Sequence, residues 1–180
     1  MHFSRSLATL CLISNFAGPA YAQAPGREQA FATFWQETCF NTHSNFDAVT
    51  ALAAANHWIS IDPSTAPFKV QNEHHQDVLG QVAWNTDATP GAFVVFAIPP
   101  HDKTGGTCDV AAFDLDLDKV AEALTATGRF EDRMKLPLPV KFLHSDIGDI
   151  MVSRILISPQ DKAKGHNGRV TINTPAQKVP

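Results

Sequence analysis

The chain has 180 residues, of which 44% are hydrophobic and 18% are charged, a balance typical of one folded domain rather than a disordered segment or a large multidomain enzyme. Its formal net charge is −4 and its pI is near 6.0. Because such a chain has no basic field to hold nucleic acid, we expect no nucleic-acid partner.

Residues 1–22 have the pattern of a secretory signal peptide. Arg5 supplies the positive N-terminal region, residues 7–16 are mostly apolar, and Ala20 and Ala22 are the small residues expected before cleavage after Ala22. The apolar run is far shorter than the roughly 20 residues that span a bilayer, so we expect no stable membrane insertion after cleavage. The mature chain is therefore predicted to be periplasmic or secreted, with a formal charge of −5 because the leader carries one basic and no acidic residue.

Two cysteines, Cys39 and Cys108, remain once the leader has removed Cys11. An exported chain meets an oxidising compartment, which favours a disulfide between them. Such a bond closes a loop of about 70 residues and stabilises the fold by about 4 kcal/mol in the chain-entropy model. Two separately buried thiols and a reactive cysteine are the alternatives. Neither residue has a C-x-x-C partner or a nearby basic cluster to activate it.

Two helices are predicted first. Apolar residues recur at helical spacing over 27–39, so this helix is expected to end at the first cysteine. Ser44 followed by Asp47 resembles a capping box and predicts a second helix over 46–56. We assign two large aromatic residues here to the core rather than to a ligand cage: Trp35 and Trp58.

Strands are predicted in the middle of the chain. Residues 62–78 are polar with two prolines and form a predicted surface excursion, which a short strand over 80–84 follows. The apolar run 92–98, bounded by Pro-Gly and Pro-Pro, is the clearest strand and is expected to be central. Residues 107–113 alternate and form its predicted hairpin partner. Three side chains of that partner are expected to face one way: Cys108, Val110 and Ala112.

A third helix is predicted over 117–124, capped by Asp114 or Asp116, stopped by Gly128 and covering one face of the sheet. Together with Asp118, these acidic residues also resemble the opening of a calcium loop. The sixth and twelfth positions, however, lack the Gly and the Glu that such a loop requires. We therefore assign the acidic residues to helix capping and to the positive end of the helix dipole.

The remaining chain predicts two strands, 150–157 and 169–173, separated by a polar, mobile loop over 158–168. Arg154 is expected at a sheet edge or reaching solvent. The order of helices, strands, helix and strands favours an α+β domain with two N-terminal helices, an antiparallel or mixed sheet, and the third helix on one face. This domain is predicted to span residues 23–174. Residues 175–180 are predicted to form a frayed tail.

His74 and His75 form the densest group of possible metal ligands in the sequence. Adjacent histidines reach one metal ion only in an irregular loop, and they would need a further ligand such as His101 or His57. A solvated polar loop is the simpler interpretation. The sequence thus predicts at most a weak metal site and no cofactor.

The run His144-Ser145-Asp146 contains the three residue types of a hydrolytic triad. Working triads are assembled by folding from separate positions, and consecutive residues do not meet in that way. The chain also lacks a G-x-S-x-G elbow, a phosphate-binding glycine loop and an H-E-x-x-H helix. No catalytic residue is therefore predicted.

One pattern runs through about residues 27–126: Phe31-x-x-Phe34, Cys39, Val49-x-x-Leu52-Ala53, Trp58, a strand, a turn, Cys108-x-Val110 and a short helix. This pattern resembles small exported proteins of alphaproteobacteria, most of them uncharacterised. The resemblance implies a bacterial periplasmic setting and a paired Cys39 and Cys108. It brings no catalytic residue with it.

The sequence thus predicts a non-enzymatic periplasmic or secreted protein that binds another envelope or secreted protein, or a small envelope component. Recognition is expected at the long loops 62–78 and 158–168, since binding residues concentrate on loops. Two alternatives stay open. One is a hydrolase-like envelope enzyme that uses His144 or His101, and the other is weak metal binding through His74 and His75.

Overall fold

The structure, a computed structural model, describes residues 26–62, 82–88, 92–100, 106–133, 139–146, 148–155 and 159–174. The helices in these ranges are α1 (Arg27–Trp35), a π-helical turn (Gln36–Phe40), α2 (Phe46–Ala55), α3 (Leu117–Thr125) and α4 (Pro159–Ala163). The strands are β1 (Ile59–Ile61), β2 (Val82–Asn85), β3 (Val94–Ile98), β4 (Thr107–Phe113), β5 (Glu131–Asp132), β6 (Val140–Ser145), β7 (Gly148–Ile155) and β8 (Arg169–Thr174).

All the described strands join one antiparallel sheet of eight strands, in the order β1-β2-β3-β4-β8-β7-β6-β5. Two meanders, β1 to β4 and β5 to β8, meet where β4 pairs with β8 from Cys108↔Thr174 to Phe113↔Arg169. The predicted α+β class with an antiparallel sheet is confirmed. The sequence does not predict β1, β5 or β6. Strands of three and two residues are too short to show an alternating pattern, and β6 shows no alternation of burial over its first three residues.

One face of the sheet, termed the helix face, packs against α1, α2 and α3 and carries the main core. On β4, Cys108, Val110 and Ala112 point to this face and are at most 2% exposed, which confirms the predicted alternation. Val152 of β7 and Ile172 of β8 lie level with Val110 and are fully buried. The centre of the sheet is therefore apolar wherever the helices cover it.

Aromatic side chains fill the space between α1 and the sheet. Trp35 is fully buried, and its indole N–H donates to the Thr174 hydroxyl at 3.1 Å, which satisfies the one polar atom of the side chain. Its ring contacts Phe40 at a centroid distance of 5.7 Å. Trp58 is half-buried and packs against Phe34 at 5.5 Å. Both tryptophans thus lie in or against the core, as predicted.

Cys39 and Cys108 form a disulfide, with a Cα–Cα distance of 5.4 Å, and neither residue is exposed. The predicted pairing is confirmed. Cys39 lies in the π-helical turn and Cys108 near the start of β4, so the bond ties the first helical segment to a central strand. Helix packing and strand position are thereby covalently coupled.

The structure corrects the predicted details of the first two helices. Ser44 has a left-handed φ of 54°, whereas a helix cap is extended, so Ser44 cannot cap α2. Asn45 has φ −68° and ψ 118°, and its side-chain oxygen accepts the Ala48 amide at 2.9 Å. The first helix departs from α geometry after Trp35 and continues as a π-helix to Phe40.

The structure also decides two expectations about the C-terminal half. The predicted loop 158–168 contains α4, whose first residue, Pro159, suits a helical start because no N–H is required there. Of the two placements predicted for Arg154, the structure gives the second, because β7 lies between β6 and β8 and Arg154 is exposed to solvent. Several predicted segments lie outside the described residues: the leader, nearly all of the excursion 62–78 and the tail 175–180.

Candidate functional site

An open cleft of about 720 Å³ lies between the N-terminal ends of α1 and α3 and the strands β6 and β7. This volume falls in the range of about 300–1,000 Å³ that is usual for small-molecule sites. We term it the charged cleft, because most of its lining residues are ionisable. They are Glu28, Asp114, Leu115, Asp116, Leu117, Asp118, Pro139, Lys141, Arg154 and Asn167.

Asp116 organises the N-terminal end of α3. Its carboxylate accepts the amides of Asp118 at 2.9 Å and Lys119 at 3.2 Å, so the predicted helix cap is confirmed. The Asp116 amide donates to a Glu28 carboxylate oxygen at 3.4 Å, which links α3 to the start of α1. Two carboxylates of the cleft are thus held in place by backbone hydrogen bonds.

Lys141 on β6 forms an ion pair with Asp118 on α3, with 2.8 Å between Nζ and Oδ1. The hydrogen bond that Lys141 donates to Asp118 raises the pKa of Lys141. The Asp118 side chain is 71% exposed and that of Lys141 is 20% exposed, so most of the lysine side chain is covered whereas the carboxylate is open to solvent. The pair joins the wall formed by α3 to the wall formed by β6.

Asp114 connects the end of β4 to the segment before β8. It has a left-handed φ of 55°, one carboxylate oxygen lies 2.6 Å from His166 Nδ1, and the other accepts the Asn167 amide at 2.7 Å. Desolvation raises the pKa of Asp114, but the bonds from His166 and from the amides of Asn167 and Gly168 outweigh it, so the net pKa is lowered. The His166 ring also stacks on Phe113 at 4.0 Å. His166 is therefore held beside the cleft and is not among the residues that line it.

Arg154 reaches the cleft from β7. Its Nε lies 2.7 Å from the position that a Cβ would take at Gly168, so glycine at this position leaves room for the guanidinium. Its backbone amide donates to the Pro139 carbonyl at 2.8 Å, which fixes the base of the side chain. Within the described part of the chain, no carboxylate forms an ion pair with this guanidinium. Arg154 is thus a cation that other groups position but do not neutralise.

The structure does not assemble a hydrolytic triad from the run His144-Ser145-Asp146. His144 Nδ1 lies 2.6 Å from Asp149 rather than bonding its sequence neighbour Asp146, and the Ser145 hydroxyl donates to the Gly148 carbonyl at 2.8 Å. His144 and Ser145 are also successive strand residues, so their side chains point to opposite faces of the sheet.

The predicted metal ligands His74 and His75 lie outside the described residues, as does His101, whereas His57 is described and exposed. In the ranges that the structure describes, no group of three or more His, Cys, Asp or Glu side chains could hold a metal ion.

No protein-family model, curated protein or solved structure matches this chain. Among the described helices, none combines the length and the apolar character needed to cross a membrane.

Contacts within the fold hold the charged groups of the cleft. Hydrogen bonds engage its carboxylates and Lys141, and a backbone hydrogen bond fixes the base of the Arg154 side chain. The sequence does not predict this site. Its charged walls come from four separate chain segments, and no local motif brings Lys141 or Arg154 to the acidic run of α3.

Proposed function

We propose that this protein is a non-enzymatic binding protein of the periplasm or the extracellular space, and that the charged cleft is its recognition site. The observation that carries the proposal is the cleft itself: an open cavity of about 720 Å³ with ionisable side chains anchored on several elements of one fold. The sequence leaves a protein partner and a small envelope component as alternatives. The volume of the cleft favours the small component.

The lining of the cleft favours binding over catalysis. The described lining residues include no Ser, Thr, Cys or His, the side chains that most often supply a nucleophile or a general base. Asp116 and Asp114 are committed to backbone amides, and Asp118 is paired with Lys141. These carboxylates act as positioned charges rather than as free acids or bases.

An extracytoplasmic location is supported by the disulfide together with the predicted leader. A buried Cys39–Cys108 bond is typical of proteins that mature in an oxidising compartment. Expression of the full chain in a bacterial host, followed by cell fractionation and intact-mass measurement, tests this part of the proposal. We expect a periplasmic or secreted species that has lost residues 1–22 and the two thiol hydrogens. A cytoplasmic, uncut and reduced chain would contradict it.

Equilibrium dialysis of the mature protein against a low-molecular-mass extract of bacterial envelopes tests the recognition site. Asp118→Lys places a second ammonium beside Lys141 at an exposed position, and Glu131→Lys makes the same charge change at a 70% exposed side chain that does not line the cleft. We expect mass spectrometry to find compounds enriched by the wild type and by Glu131→Lys but not by Asp118→Lys. No enrichment by the wild type, or equal enrichment by all three proteins, would refute the proposal.

A further inference from the structure

The charged cleft contains both negative and positive groups, and the negative groups outnumber the positive ones. Four carboxylates, those of Glu28, Asp114, Asp116 and Asp118, face two cations, Lys141 and Arg154, so the lining carries a formal charge of −2. A ligand with only negative charge would meet this excess of carboxylates, and one with only positive charge would meet the Arg154 guanidinium. Since like charges brought together are unfavourable, neither kind of ligand matches the whole lining.

The two cations of the cleft differ in what they can still bind. Lys141 is already paired with Asp118 at 2.8 Å. Arg154 forms no ion pair within the described residues, and its planar guanidinium can hold a carboxylate through two parallel hydrogen bonds. Arg154 is therefore the group of the cleft that is best placed to receive the anionic end of a ligand.

The opposite wall offers carboxylate oxygens to a cation. Only Oδ1 of Asp118 is engaged by Lys141, and the Asp118 side chain is 71% exposed, so its second oxygen is accessible. Asp116 is also exposed and uses Oδ1 for both of its capping bonds. An ammonium group on this wall would gain charge-assisted hydrogen bonds without breaking the cap of α3.

Apolar surface lies among these charges. Leu117 is half-buried and Pro139 is exposed, and both line the cleft. A ligand with a small apolar part between its charged groups would bury that part here. The volume of about 720 Å³ gives room for a molecule of two or three amino-acid residues.

We propose that the charged cleft binds a small zwitterion of dipeptide to tripeptide size, whose carboxylate pairs with Arg154 and whose ammonium pairs with the carboxylates at the N-terminal end of α3. This inference rests on the proposed function, because it names the ligand class of the same site. Arg154 determines the specificity for the anionic end, and Asp116 and Asp118 determine that for the cationic end.

Calorimetric titration with three forms of one peptide tests the inference. The probes are L-alanyl-L-leucine with free termini, its N-acetyl form without the cation, and its C-terminal amide without the anion. We expect the free peptide to bind at concentrations up to about 10 mM, and each blocked form to bind at least about tenfold more weakly.

Variants of Arg154 test whether this residue binds the anionic end of the ligand. Arg154→Gln should weaken the free peptide by about tenfold or more and leave the affinity of the C-terminal amide unchanged, while Arg154→Lys should give an intermediate loss because it keeps the charge but not the planar fork. Arg133→Gln is the matched control, since that side chain is 59% exposed, pairs with Glu131 and does not line the cleft. Circular dichroism confirms that each variant is folded.

Three results would overturn the inference: no binding of the free peptide at about 10 mM, equal affinities for the free and blocked peptides, or unchanged binding by Arg154→Gln. Dialysis against the envelope extract distinguishes a wrong ligand class from a wrong recognition site. If the wild type enriches compounds that are not zwitterions and Asp118→Lys does not, the recognition site stands and the ligand class is wrong. If the wild type enriches no compound, both fail.

Discussion

Replacing Asp109 by Asn should stabilise this protein at neutral pH. Asp109 lies on β4 and points to the face of the sheet opposite the helix face, where Phe96 and Asn173 are its neighbours in register. Its carboxylate accepts the Thr174 amide at 3.3 Å. Desolvation by burial raises the pKa of Asp109 from 3.8 to about 6, against the opposing effect of the bonds from Asn173 and Thr174. A central strand therefore carries a carboxyl group that is costly to ionise.

The size of the effect follows from the two pKa values. Each pKa unit is worth about 1.4 kcal/mol, so a rise from 3.8 to about 6 makes the ionised folded state about 3 kcal/mol less favourable. The folded pKa lies above the unfolded one. This penalty is therefore absent in acid, grows as the pH rises from about 4 to about 6, and is constant above that range. Asn has the same shape, keeps an oxygen for the Thr174 amide and never ionises.

Urea unfolding of the wild type and of Asp109→Asn between about pH 4 and about pH 8 measures the difference directly. We expect nearly equal free energies of unfolding at the acid end and a gain of up to about 3 kcal/mol for the variant at the neutral end. Asp146→Asn, at an exposed position in the turn between β6 and β7, is the control. It should leave the free energy of unfolding unchanged at both the acid and the neutral end. A variant that is less stable at neutral pH, or whose difference from the wild type is independent of pH, would refute the role assigned to burial.

Three further predictions concern stability. Replacing Cys39 and Cys108 together by Ala should lower the free energy of unfolding by about 4 kcal/mol, measured against the oxidised wild type in urea. Asn45→Ala should lower the free energy of unfolding by about 1 kcal/mol because it removes the cap of α2. Ser44→Ala should leave it unchanged, since the buried Ser44 hydroxyl has no hydrogen-bond partner in the described structure. Equal losses in the two variants would contradict this assignment of the cap. Because the pKa of Asp114 is lowered, its ionised form contributes stability above the unfolded pKa of 3.8 that is lost as the pH falls, and Asp114→Asn should flatten the acid limb of the stability profile.

Elements with a long, regular pattern could be predicted from the sequence. The strand over 107–113 was predictable to the residue, because its alternation continues over seven positions between a glycine-rich turn and an aspartate. An acidic cap was predictable because Asp114 and Asp116 precede a clear helical period, and the structure assigns the cap to Asp116. The disulfide followed from chemistry rather than pattern, since a chain that is predicted to be exported retains two cysteines after cleavage of its predicted leader.

Other features depend on contacts that a local pattern does not encode. Ser44 and Asn45 are both good capping residues, and only the left-handed backbone at Ser44 decides between them. Asp114 and His166 form a pair although they lie 52 residues apart in the sequence, so no local motif predicts the contact. Arg154 looks like an ordinary exposed cation in the sequence, and its place in the cleft depends on Gly168 leaving space beside it.

The acidic residues at the start of α3 show why the charged cleft could not be predicted from the sequence. Asp114, Asp116 and Asp118 have the spacing of calcium ligands, but the backbone gives each a different task. The first turns the chain through a left-handed residue and holds the segment before β8, the second caps the helix, and the third pairs with Lys141 across the cleft. Because these tasks direct the carboxylates to different partners, the run does not converge on one ion. The three aspartates stand instead as separately anchored negative charges in a cleft that Arg154 also lines, and this arrangement is what supports the proposed zwitterionic ligand.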